Sequence, residues 1–487
     1  MPTSPAENAL PDSGFDQDFF DVAVLGAGPA GLAAAGSAAA AGARVALVDA
    51  GKRTGGQYWR HRHGDDGKHH TGWSTYQSLE QAIERRAERI EHLAGHSVWQ
   101  VETLPGPMFR VNMTTGDGER VILARTVIVA TGAYDRQLPF PGWTVPGVFT
   151  AGAAQALLKG QGVLAGSRIV VAGTGVFLLA VAAGLAEGGA EVVGVFEAGG
   201  APTSFARHPV ALARNLTKLG EGAHYTRILA RHRIPYRTHT AVVRARGAES
   251  LTGVVTAKLD RDWRVIDGSE QEIDCDTLAV GYGFTPQLEL AVQLGCSTRL
   301  DFDGSLVAVV DADQLSSSPG VYVAGEATGV GGAALCVVEG EIAGRSAAAA
   351  TGHAPTDGRT AGRLRRTRTA RHQFATALLE AFPVRPGWMD WPDEDTIVCR
   401  CEEVTVGEIT EAITELGAGD PRAVKLYSRP GMGLCQGRVC GYAISCLVAD
   451  RAGHTPTVAD LQGVAGRPIA QPITLGQLAR AHHRSIE

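Results

Sequence analysis

Short apolar runs, each closed by glycine or an acidic residue, divide the first part of the chain into strands and helices. Val22–Leu25 has the length and β-branched content of a buried strand, and the motif GAGPAG follows at positions 26–31. The alanine-rich run Leu32–Ala41 predicts a helix, and Arg44–Val48 predicts a second strand that ends at Asp49. This order of strand, glycine turn, helix and acidic strand end predicts a dinucleotide-binding unit.

The glycines of this motif meet different physical requirements. Gly26 permits a tight turn from strand to helix, and Gly28 lets a pyrophosphate approach the backbone without meeting a Cβ atom. Gly31 lets the helix pack closely on the strand, so that the N–H groups at its N-terminus point at the phosphate. Asp49 stands where an acidic side chain accepts hydrogen bonds from ribose hydroxyls.

Later turns fit the same nucleotide. The pair Gly55-Gly56 lets the backbone pass close to a bound flavin. The strand predicted over Thr126–Gly132 ends in Ala130-Thr131-Gly132. Another strand ends at Gly325-Glu326 before a predicted helix, where a carboxylate can accept ribityl hydroxyls.

A second unit of this kind occupies Gly166–Glu197 and makes the chain an internal duplication. Its first strand ends at Gly173, Gly175 follows in the turn, and the next strand ends at Glu197. Leu178 stands where the third small residue belongs, and we expect it to push helix and strand apart or to re-aim the loop. The residues leave open a second bound nucleotide at this turn or a structural relic.

The segments between these units predict less chemistry. The pattern predicts a surface helix over Ser78–Leu93. The histidine-rich segment His61–His70 lacks metal-ligand spacing and is expected to be a solvated loop. Five arginines of a predicted linker over 351–395 are expected to form a solvated helix face or a contact with a partner subunit: Arg363, Arg365, Arg366, Arg368 and Arg371.

Composition and charge narrow the classes of function. The 487 residues are 44% hydrophobic and can form two to four domains, and the net charge of −6 argues against a nucleic-acid partner. The polar start of the chain shows no export signal, and the longest apolar stretch, 170–186, is too short to span a bilayer. We therefore expect a cytoplasmic protein without a transmembrane segment, and a flexible leader over residues 1–19.

Four of the eight cysteines crowd into one C-terminal segment, which is typical of metal or cluster binding rather than of a disulfide framework. The pair Cys399 and Cys401 is separated by 33 residues from the pair Cys435 and Cys440. On spacing alone, these residues could hold a [2Fe–2S] cluster or zinc, or be ordinary buried cysteines. A flavin motif in the same chain favours the redox cluster, because zinc passes no electrons. The other four are expected to be buried thiols: Cys275, Cys296, Cys336 and Cys446.

Residues around the two cysteine pairs suit a cluster. The second pair is surrounded by glycines, which free backbone N–H groups to hydrogen-bond sulfides. The charges of Arg400 and Arg438 would stabilise an added electron and raise the reduction potential. Thr405 and Glu408 predict a capping box at the start of a helix between the pairs.

Several stretches together resemble a known family. GAGPAGLAAA, GGQYWR, ATGAYDRQLPFPGW, VAGEATGVGG and the cysteine set resemble the larger flavoprotein subunit of hydrogen cyanide synthase and opine oxidase. CRCEEVTVGEI and GMGLCQGRVC resemble the [2Fe–2S] module of bacterioferritin-associated ferredoxin. The α subunits of dye-linked proline and hydroxyproline dehydrogenases and of multimeric sarcosine oxidase belong to the same group. The likeness covers about residues 20–450.

We expect an α/β fold with two Rossmann-like nucleotide-binding domains, arranged as in glutathione and thioredoxin reductases, and a small C-terminal α-rich [2Fe–2S] domain. The expected divisions are an FAD-binding domain over 20–155 and 300–350, a second nucleotide-binding-like domain over 156–299, a linker over 351–395, a [2Fe–2S] domain over 396–450 and a tail over 451–487.

The resemblance implies FAD and a [2Fe–2S] cluster as cofactors, the cluster being held by Cys399, Cys401, Cys435 and Cys440. Glu326 departs from the family's usual aspartate but can accept the same hydrogen bonds. The second turn leaves NAD(P), ATP or a similar nucleotide as a further cofactor, at Gly173, Gly175 and Glu197. The predicted FAD-binding residues are Gly26, Gly28, Pro29, Ala30, Gly31, Asp49, Ala50, Gly56, Gln57, Ala130, Thr131, Gly132, Gly325 and Glu326.

In this group, the amino- or imino-acid substrate is oxidised on the flavin of a separate, smaller subunit. We therefore expect an electron-transfer subunit of a hetero-oligomeric dehydrogenase for opines, proline, hydroxyproline or similar amines. Its expected partner is that smaller subunit, and a further small subunit is a second candidate. The lack of a convincing acid/base pair near the flavin motifs favours a relay. The alternatives are a free-standing NAD(P)H-dependent reductase and a non-catalytic scaffold that binds a nucleotide and a metal.

Overall fold

The first sheet is built from the apolar runs that begin the chain. The computed structural model describes residues 18–106, 108–116, 118–200, 216–353, 357–467 and 469–483, so that the predicted leader lies almost wholly outside the described residues. The strands of the first sheet are β1 (Phe19–Leu25), β2 (Val45–Asp49), β3 (Ile90–Ala94), β4 (Ser97–Leu104), β5 (Met108–Thr114), β6 (Glu119–Val129) and β19 (Val321–Val323).

Strand order in this sheet is β3-β2-β1-β6-β5-β4, and β19 pairs with β6. The pairs among β1, β2, β3, β6 and β19 are parallel, whereas β4, β5 and β6 pair antiparallel. The parallel strands are buried on both faces, which is why they read as continuous apolar runs. Their carboxyl ends meet at one edge, where the predicted FAD turns follow.

The second sheet repeats this plan. Its strands are all parallel, in the order β11-β10-β9-β15-β8: β8 (Val148–Thr150), β9 (Arg168–Gly173), β10 (Glu191–Glu197), β11 (Tyr236–Thr238) and β15 (Thr277–Gly281). A separate antiparallel sheet lies beside it, formed by β12 (Thr240–Gly247), β13 (Leu251–Lys258) and β14 (Gln271–Asp274). The internal duplication predicted from the sequence is therefore present.

Two short ladders accompany the sheets. β7 (Ala133–Asp135) pairs with β16 (Phe284–Pro286), and β17 (Thr298–Leu300) pairs with β18 (Leu306–Ala308). Because β7 and β16 lie where the chain leaves the first sheet and returns to it, their pairing ties the two crossings together.

Helices cover both sheets. The described helices before residue 351 are α1 (Pro29–Ala40), α2 (Trp73–Glu84), α3 (Ala151–Gln161), α4 (Phe177–Glu187), α5 (Leu216–Arg231), α6 (Glu289–Gln293) and α7 (Ala333–Ala350). A 3-10 helix covers Gly325–Thr328. Helices α1 and α7 pack closely, because Gly340 and Gly344 lie against the carbonyl oxygens of Ala30 and Ala34 where a Cβ atom would clash.

The C-terminal part is mostly helical. It contains α8 (Gly358–Ala381), a 3-10 helix (Pro386–Asp390), the paired strands β20 (Ile397–Cys399) and β21 (Val404–Thr405), α9 (Val406–Thr414), α10 (Pro421–Ser428), α11 (Gly441–Arg451), α12 (Val458–Ala465) and α13 (Leu475–His483). The capping box predicted for Thr405 and Glu408 begins α9, as expected.

This part packs on both sheets. Trp388, Trp391 and Cys399 share one core with second-sheet residues such as Val170. Leu461 of α12 and Ala470 belong instead to the core under the first sheet. Within the described residues, none of the helices has the length and apolarity needed to cross a bilayer.

One local prediction was wrong, and a second was only partly confirmed. The surface helix predicted over Ser78–Leu93 ends at Glu84, because Ile90 and Leu93 are buried in β3, which pairs with β2. The local sequence has a helical pattern, but this segment pairs with β2 as a parallel strand, and the local sequence does not show that pairing.

The arginines of the segment predicted as a linker do not form a purely solvated face. Arg365 pairs with Asp313, Arg368 with Glu339 at 3.1 Å, and Arg371 donates to the carbonyl oxygen of Ala334. Arginines three residues apart share one face of a helix, and this face of α8 lies on α7 and its surroundings.

Candidate functional site

The turn between β1 and α1 has the geometry expected of a phosphate-binding loop. Gly26 has φ +112°, and a Cβ atom there would lie 2.3 Å from the carbonyl oxygen of Ala130. A Cβ atom on Gly31 would lie 1.7 Å from the carbonyl oxygen of Gly26. Pro29 is the first residue of α1, and its fixed φ suits that position. The helix N-terminus therefore opens directly at the glycine turn.

Other predicted residues converge on this turn. A Cβ atom on Gly56 would lie 2.8 Å from Cα of Gly28, and one on Gly325 would lie 2.9 Å from Cβ of Ala30. Only glycine leaves room at these points for a group lying along the backbone. The cradle therefore fits the phosphates and ribityl chain of an extended dinucleotide.

The remaining predicted FAD residues lie at the ends of this cradle. The Thr131 hydroxyl donates to the carbonyl oxygen of Gln287 (2.7 Å), and Gly132 accepts a hydrogen bond from the Gln287 N–H (2.9 Å). Ala50 and Gln57 are exposed. One Asp49 carboxylate oxygen accepts from the Ala27 N–H at 2.6 Å, so that the acidic strand end is fixed beside the turn.

Glu326 lies under the cradle with its carboxylate turned towards helix α7. Its Oε1 accepts hydrogen bonds from the Gly332 N–H (2.9 Å) and the Cys336 thiol (3.4 Å). Burial raises the pKa of Glu326 to about 7, although these hydrogen bonds favour the charged form. A carboxyl group poised near neutrality can hold or release a proton at this edge of the site.

The second glycine turn departs from the first at the residue that the sequence singled out. Leu178 is fully buried, and α4 begins only at Phe177, four residues after Gly173, whereas α1 begins three residues after Gly26. The N–H of Leu179 donates to the carbonyl oxygen of Val176, three residues back, while that of Leu32, at the equivalent position of the first unit, reaches Gly28, four residues back. The leucine therefore re-aims the loop, as predicted.

The Glu197 carboxylate is hydrogen-bonded to residues of its own loop. Its carboxylate accepts hydrogen bonds from the Thr174 hydroxyl (2.6 Å), the Gly175 N–H (2.8 Å) and the Gly199 N–H (2.9 Å), and its side chain is fully buried. Burial raises the pKa of Glu197, and these hydrogen bonds oppose the shift. Asp49 accepts hydrogen bonds from the corresponding Ala27 and Gly51 N–H groups, both at 2.6 Å, so the two strand ends differ in that Glu197 is fully buried and also accepts from the Thr174 hydroxyl.

The four clustered cysteines meet between β20 and the loop before α11. The Cys440 side chain lies close enough to Cys399 and Cys435 for the three thiols to shift one another's pKa, and the same holds for Cys401 and Cys435. Cys399 and Cys440 are buried, whereas Cys401 is exposed. The other four cysteines are buried, as predicted. Thiol donors in mutual contact fit a two-iron cluster, in which each iron takes two cysteines.

The surroundings of the four thiols favour the thiolate at Cys399 and Cys435 and raise the pKa of Cys401 and Cys440. Hydrogen bonding from Cys440 lowers the pKa of Cys399 to about 6 and that of Cys435 to about 4. The Gly431 N–H donates to the Cys399 sulfur at 3.3 Å. A Cβ atom on Gly433 would lie 2.3 Å from Cβ of Cys401, so glycine is required for this approach. The four cysteines therefore have the donor chemistry that a [2Fe–2S] cluster requires.

Arg438 joins the cysteine loop to the crossing β7. Its Nη1 donates to the Cys435 carbonyl oxygen (2.9 Å), and its Nε lies 3.0 Å from the Tyr134 hydroxyl and 2.9 Å from Glu289 Oε1. Both Arg438 and Glu289 are buried, with side chains less than a tenth exposed. The sequence pattern named Arg438 for its charge but did not single out its partners.

A second arginine–tyrosine contact joins the same two segments, but here the arginine follows β7 and the tyrosine follows the cysteine loop. Arg136, two residues after Tyr134, lies over the ring of Tyr442 at 4.4 Å and pairs with Asp303 at 2.6 Å. Tyr442 follows Cys440 by two residues at the start of α11. The only sequence signal for these contacts is position, since the motif AYDR follows the predicted flavin turn directly.

Comparison with known proteins agrees with this arrangement. Residues 20–354 match the family model described as pyridine nucleotide-disulphide oxidoreductase. The chain belongs to this family. Residues 397–450 match a second model, the BFD-like [2Fe-2S] binding domain. The FAD-binding domain of the family and a [2Fe–2S] domain are therefore joined in one chain, and the expected fold class is confirmed.

Curated relatives of this oxidoreductase cover nearly its whole length. An opine oxidase subunit of Agrobacterium tumefaciens (strain Ach5) is 32% identical over 96% of this chain and 92% of its own. Hydrogen cyanide synthase subunit HcnB of Pseudomonas protegens is 32% identical over 86% of this chain and 90% of its own. The crystal structure of L-proline dehydrogenase from P. horikoshii shares the fold, with a TM-score of 0.68 at 23% identity, covering 95% of this chain and 80% of that one. The two curated relatives are named as subunits of larger enzymes.

Proposed function

We propose that this chain is the electron-transfer flavoprotein subunit of a hetero-oligomeric, cytoplasmic dehydrogenase that oxidises opines, proline, hydroxyproline or a similar amine. A smaller, flavin-containing subunit oxidises the substrate at its CH–NH bond, and this chain relays the electrons onwards. The names of the opine oxidase and hydrogen cyanide synthase relatives, both subunits, support this assignment.

The observation that carries the proposal is the contact of Arg438 with Tyr134 and Glu289. A buried, charge-assisted network joins the cysteine loop to the residues that follow the FAD turn. When bound, FAD accepts electrons in pairs and a [2Fe–2S] cluster passes them singly. The protein's part is to hold the two sites in one fixed orientation and to exclude water between them.

Individual residues have distinct roles in this proposal. Gly26, Gly28 and Gly31 admit the FAD pyrophosphate to the N-terminus of α1, and Asp49 and Glu326 hold the ribose and ribityl hydroxyls. The four cysteines at 399, 401, 435 and 440 ligate the cluster. Arg438 stabilises the electron on the cluster, since a buried cation beside it favours the reduced form.

The second glycine turn supports a relay over a reductase that uses NAD(P)H. Productive binding of a nicotinamide nucleotide requires an accessible acidic strand end and a helix that opens at the glycine turn. Glu197 is enclosed by Thr174, Gly175 and Gly199, and α4 begins one residue late because of Leu178. We propose that this unit serves as a structural copy.

Co-expression with the smaller subunit, followed by anaerobic titration, tests the proposal. We expect the purified chain to contain FAD, iron and acid-labile sulfide, and its flavin to stay oxidised with NADH or NADPH. In complex with the smaller subunit, the flavin and cluster should be reduced by an opine, proline or a related amine, followed as flavin bleaching and as an EPR signal. Bleaching of the isolated chain by NADPH would contradict the proposal, and zinc without iron would establish a scaffold instead.

A further inference from the structure

Lys159 is a mostly buried cation without a counter-ion. Its ammonium group, in the last turn of α3, donates to Oε1 of Gln155 at 3.0 Å and lies 5.8 Å from the ring of Tyr58. Within the described part of the chain, no carboxylate reaches it at ion-pair distance. A buried charge is costly unless it is paired, so its neighbourhood is expected to contain an anion.

His70 faces the same region and is also incompletely paired. Its side chain is fully buried and stacks on Trp73 with 4.7 Å between ring centroids. Its Nε2 lies 3.7 Å from a carboxylate oxygen of Asp65, beyond hydrogen-bond distance, and its Nδ1 has no partner among the residues that the structure describes. A buried imidazole with free nitrogen atoms needs a ligand or water to complete its hydrogen bonds.

These two side chains line one cavity of about 130 Å³. It lies between the loop 68–71, which follows the first sheet's glycine-rich turns, and helices α3 and α4 of the second sheet. Lys68, His69 and His224 also line it, and the Thr71 hydroxyl lies 2.9 Å from the Tyr225 hydroxyl at its wall. The cavity is therefore rich in groups that donate hydrogen bonds and carry positive charge.

Three acidic side chains lie near this cavity, Glu187, Asp65 and Glu221 of α5, but within the described residues none is at ion-pair distance from Lys159. Glu187 at the end of α4 contributes to its lining but is exposed, and Asp65 lies on the far side of His70.

We propose that this cavity is a binding site for a small oxyanion, a phosphate or a carboxylate, held by Lys159 and His70. The occupant supplies the counter-ion for the Lys159 ammonium group and accepts a hydrogen bond from the His70 ring. Because loop 68–71 and helices α3 and α4 contribute to the same cavity, the bound anion also fixes the two sheets relative to each other.

The pKa shifts of Lys159 and His70 reflect the cost of charging either side chain in this cavity. Burial lowers the pKa of Lys159 to about 8. Burial, followed by repulsion from Lys159, lowers the pKa of His70 to about 4, and Asp65 opposes this shift only in part. An anion in the cavity would raise both pKa values, because it stabilises both charged forms.

Thermal unfolding of the FAD-loaded, cluster-loaded protein tests this site, with sodium phosphate and sodium acetate added in separate arms at constant ionic strength. We expect a saturable rise in the unfolding temperature in one arm, and the arm that responds identifies phosphate or carboxylate as the recognised group. Lys159→Met should abolish the rise, whereas Lys159→Arg should retain it. Lys258→Met, at an exposed lysine of β13, is the matched control and should respond as the wild type does.

The Lys159→Met variant keeps the side-chain length and removes an unpaired buried charge, so we expect it to fold at least as stably as the unliganded wild type. NMR titration of His70 gives an independent measurement, in which the responding anion should raise the His70 pKa. The proposal is overturned if neither anion gives a saturable rise, or if Lys159→Met responds like the wild type. A changed flavin potential in Lys159→Met with an intact anion response would also overturn it, because the amine would then serve the flavin.

Discussion

The guanidinium of Arg438 lies 3.0 Å from the hydroxyl of Tyr134. This contact joins the loop that contains Cys435 and Cys440 to the strand that directly follows the predicted FAD turn. Arg136, the residue after that strand, lies over the ring of Tyr442, so that each side of the boundary contributes one arginine and one tyrosine. The two proposed redox sites are thus held together by interactions that require fixed geometry on both sides.

Removing the Tyr134 hydroxyl should weaken the contact between the cysteine loop and the strand after the FAD turn, without loss of flavin or cluster. We expect Tyr134→Phe to lower the free energy of unfolding by about 2 kcal/mol, the scale of a hydrogen bond to a charged group. Flavin and iron contents should stay at wild-type levels, and electron exchange between the sites, followed by rapid photoreduction, should slow. Tyr225→Phe, which loses a hydroxyl contact to Thr71 away from the cysteines, is the control and should leave electron exchange unchanged.

Removing the Arg438 charge should act on the cluster potential. Because Arg438→Gln alone would leave Glu289 buried and unpaired, the variant to measure is Arg438→Gln with Glu289→Gln. We expect the reduction potential of the cluster, measured by EPR-monitored titration, to fall by on the order of tens of mV. An unchanged potential would show that the Arg438–Glu289 pair as a whole makes no net contribution to the cluster potential.

The clustered cysteines should be separable from the flavin. We expect Cys401→Ser or Cys435→Ser to lose the iron and acid-labile sulfide while the flavin absorbance per chain stays the same. Cys275→Ala, at a cysteine buried in the core of the second sheet, should retain both cofactors. Loss of flavin together with the cluster in Cys401→Ser would argue against independent sites.

Two glycines of the same helix should respond oppositely to alanine. Gly31→Ala places a Cβ atom 1.7 Å from a backbone oxygen, so we expect loss of bound flavin. A Cβ atom on Gly36 would meet only side chains at 3.8 Å or more, and Gly36→Ala should stabilise α1 by about 0.5–1 kcal/mol. Flavin content and thermal unfolding of the two variants distinguish a specific cradle from general helix disruption.

The raised pKa of Glu326 predicts a pH dependence of stability in flavin-free protein. The folded state binds this proton more tightly than the unfolded chain, so its contribution is full below about pH 4.5 and is lost as the pH rises towards 7. Glu326→Gln mimics the protonated form at every pH. We therefore expect the variant to be more stable than the wild type at pH 8, by about 3 kcal/mol at most, and the difference to vanish below pH 4.5.

Denaturant unfolding at a series of pH values measures this difference. A constant gap between wild type and Glu326→Gln across the range would contradict the expected proton uptake. Glu341→Gln, at a carboxylate of α7 that pairs with Arg345, provides the reference for loss of a carboxylate charge on the same helix.

Local pattern was a reliable guide wherever a strand is buried on both faces. Val22–Leu25 and Thr126–Gly132 read as strands because both of their faces must be apolar, and both pair as parallel strands. The capping box at Thr405 was equally readable, because its two hydrogen bonds involve residues three positions apart. The fold of Ser78–Leu93 could not be predicted from local pattern. The backbone N–H and C=O groups of its second half pair with β2, which is distant in the chain.

The sequence by itself determined which chemistry is available: two glycine turns of unequal quality, and four cysteines in two pairs. These features are local, since the steric demand for glycine and the reach of paired thiols depend on a few neighbouring residues. Tertiary structure alone decided that Glu197 is enclosed by its loop, that Arg438 meets Tyr134 and Glu289, and that Lys159 lies beside His70 without a counter-ion. Such contacts join residues that are distant in the chain, and the free energy of burying a charge depends on what the whole fold places around it.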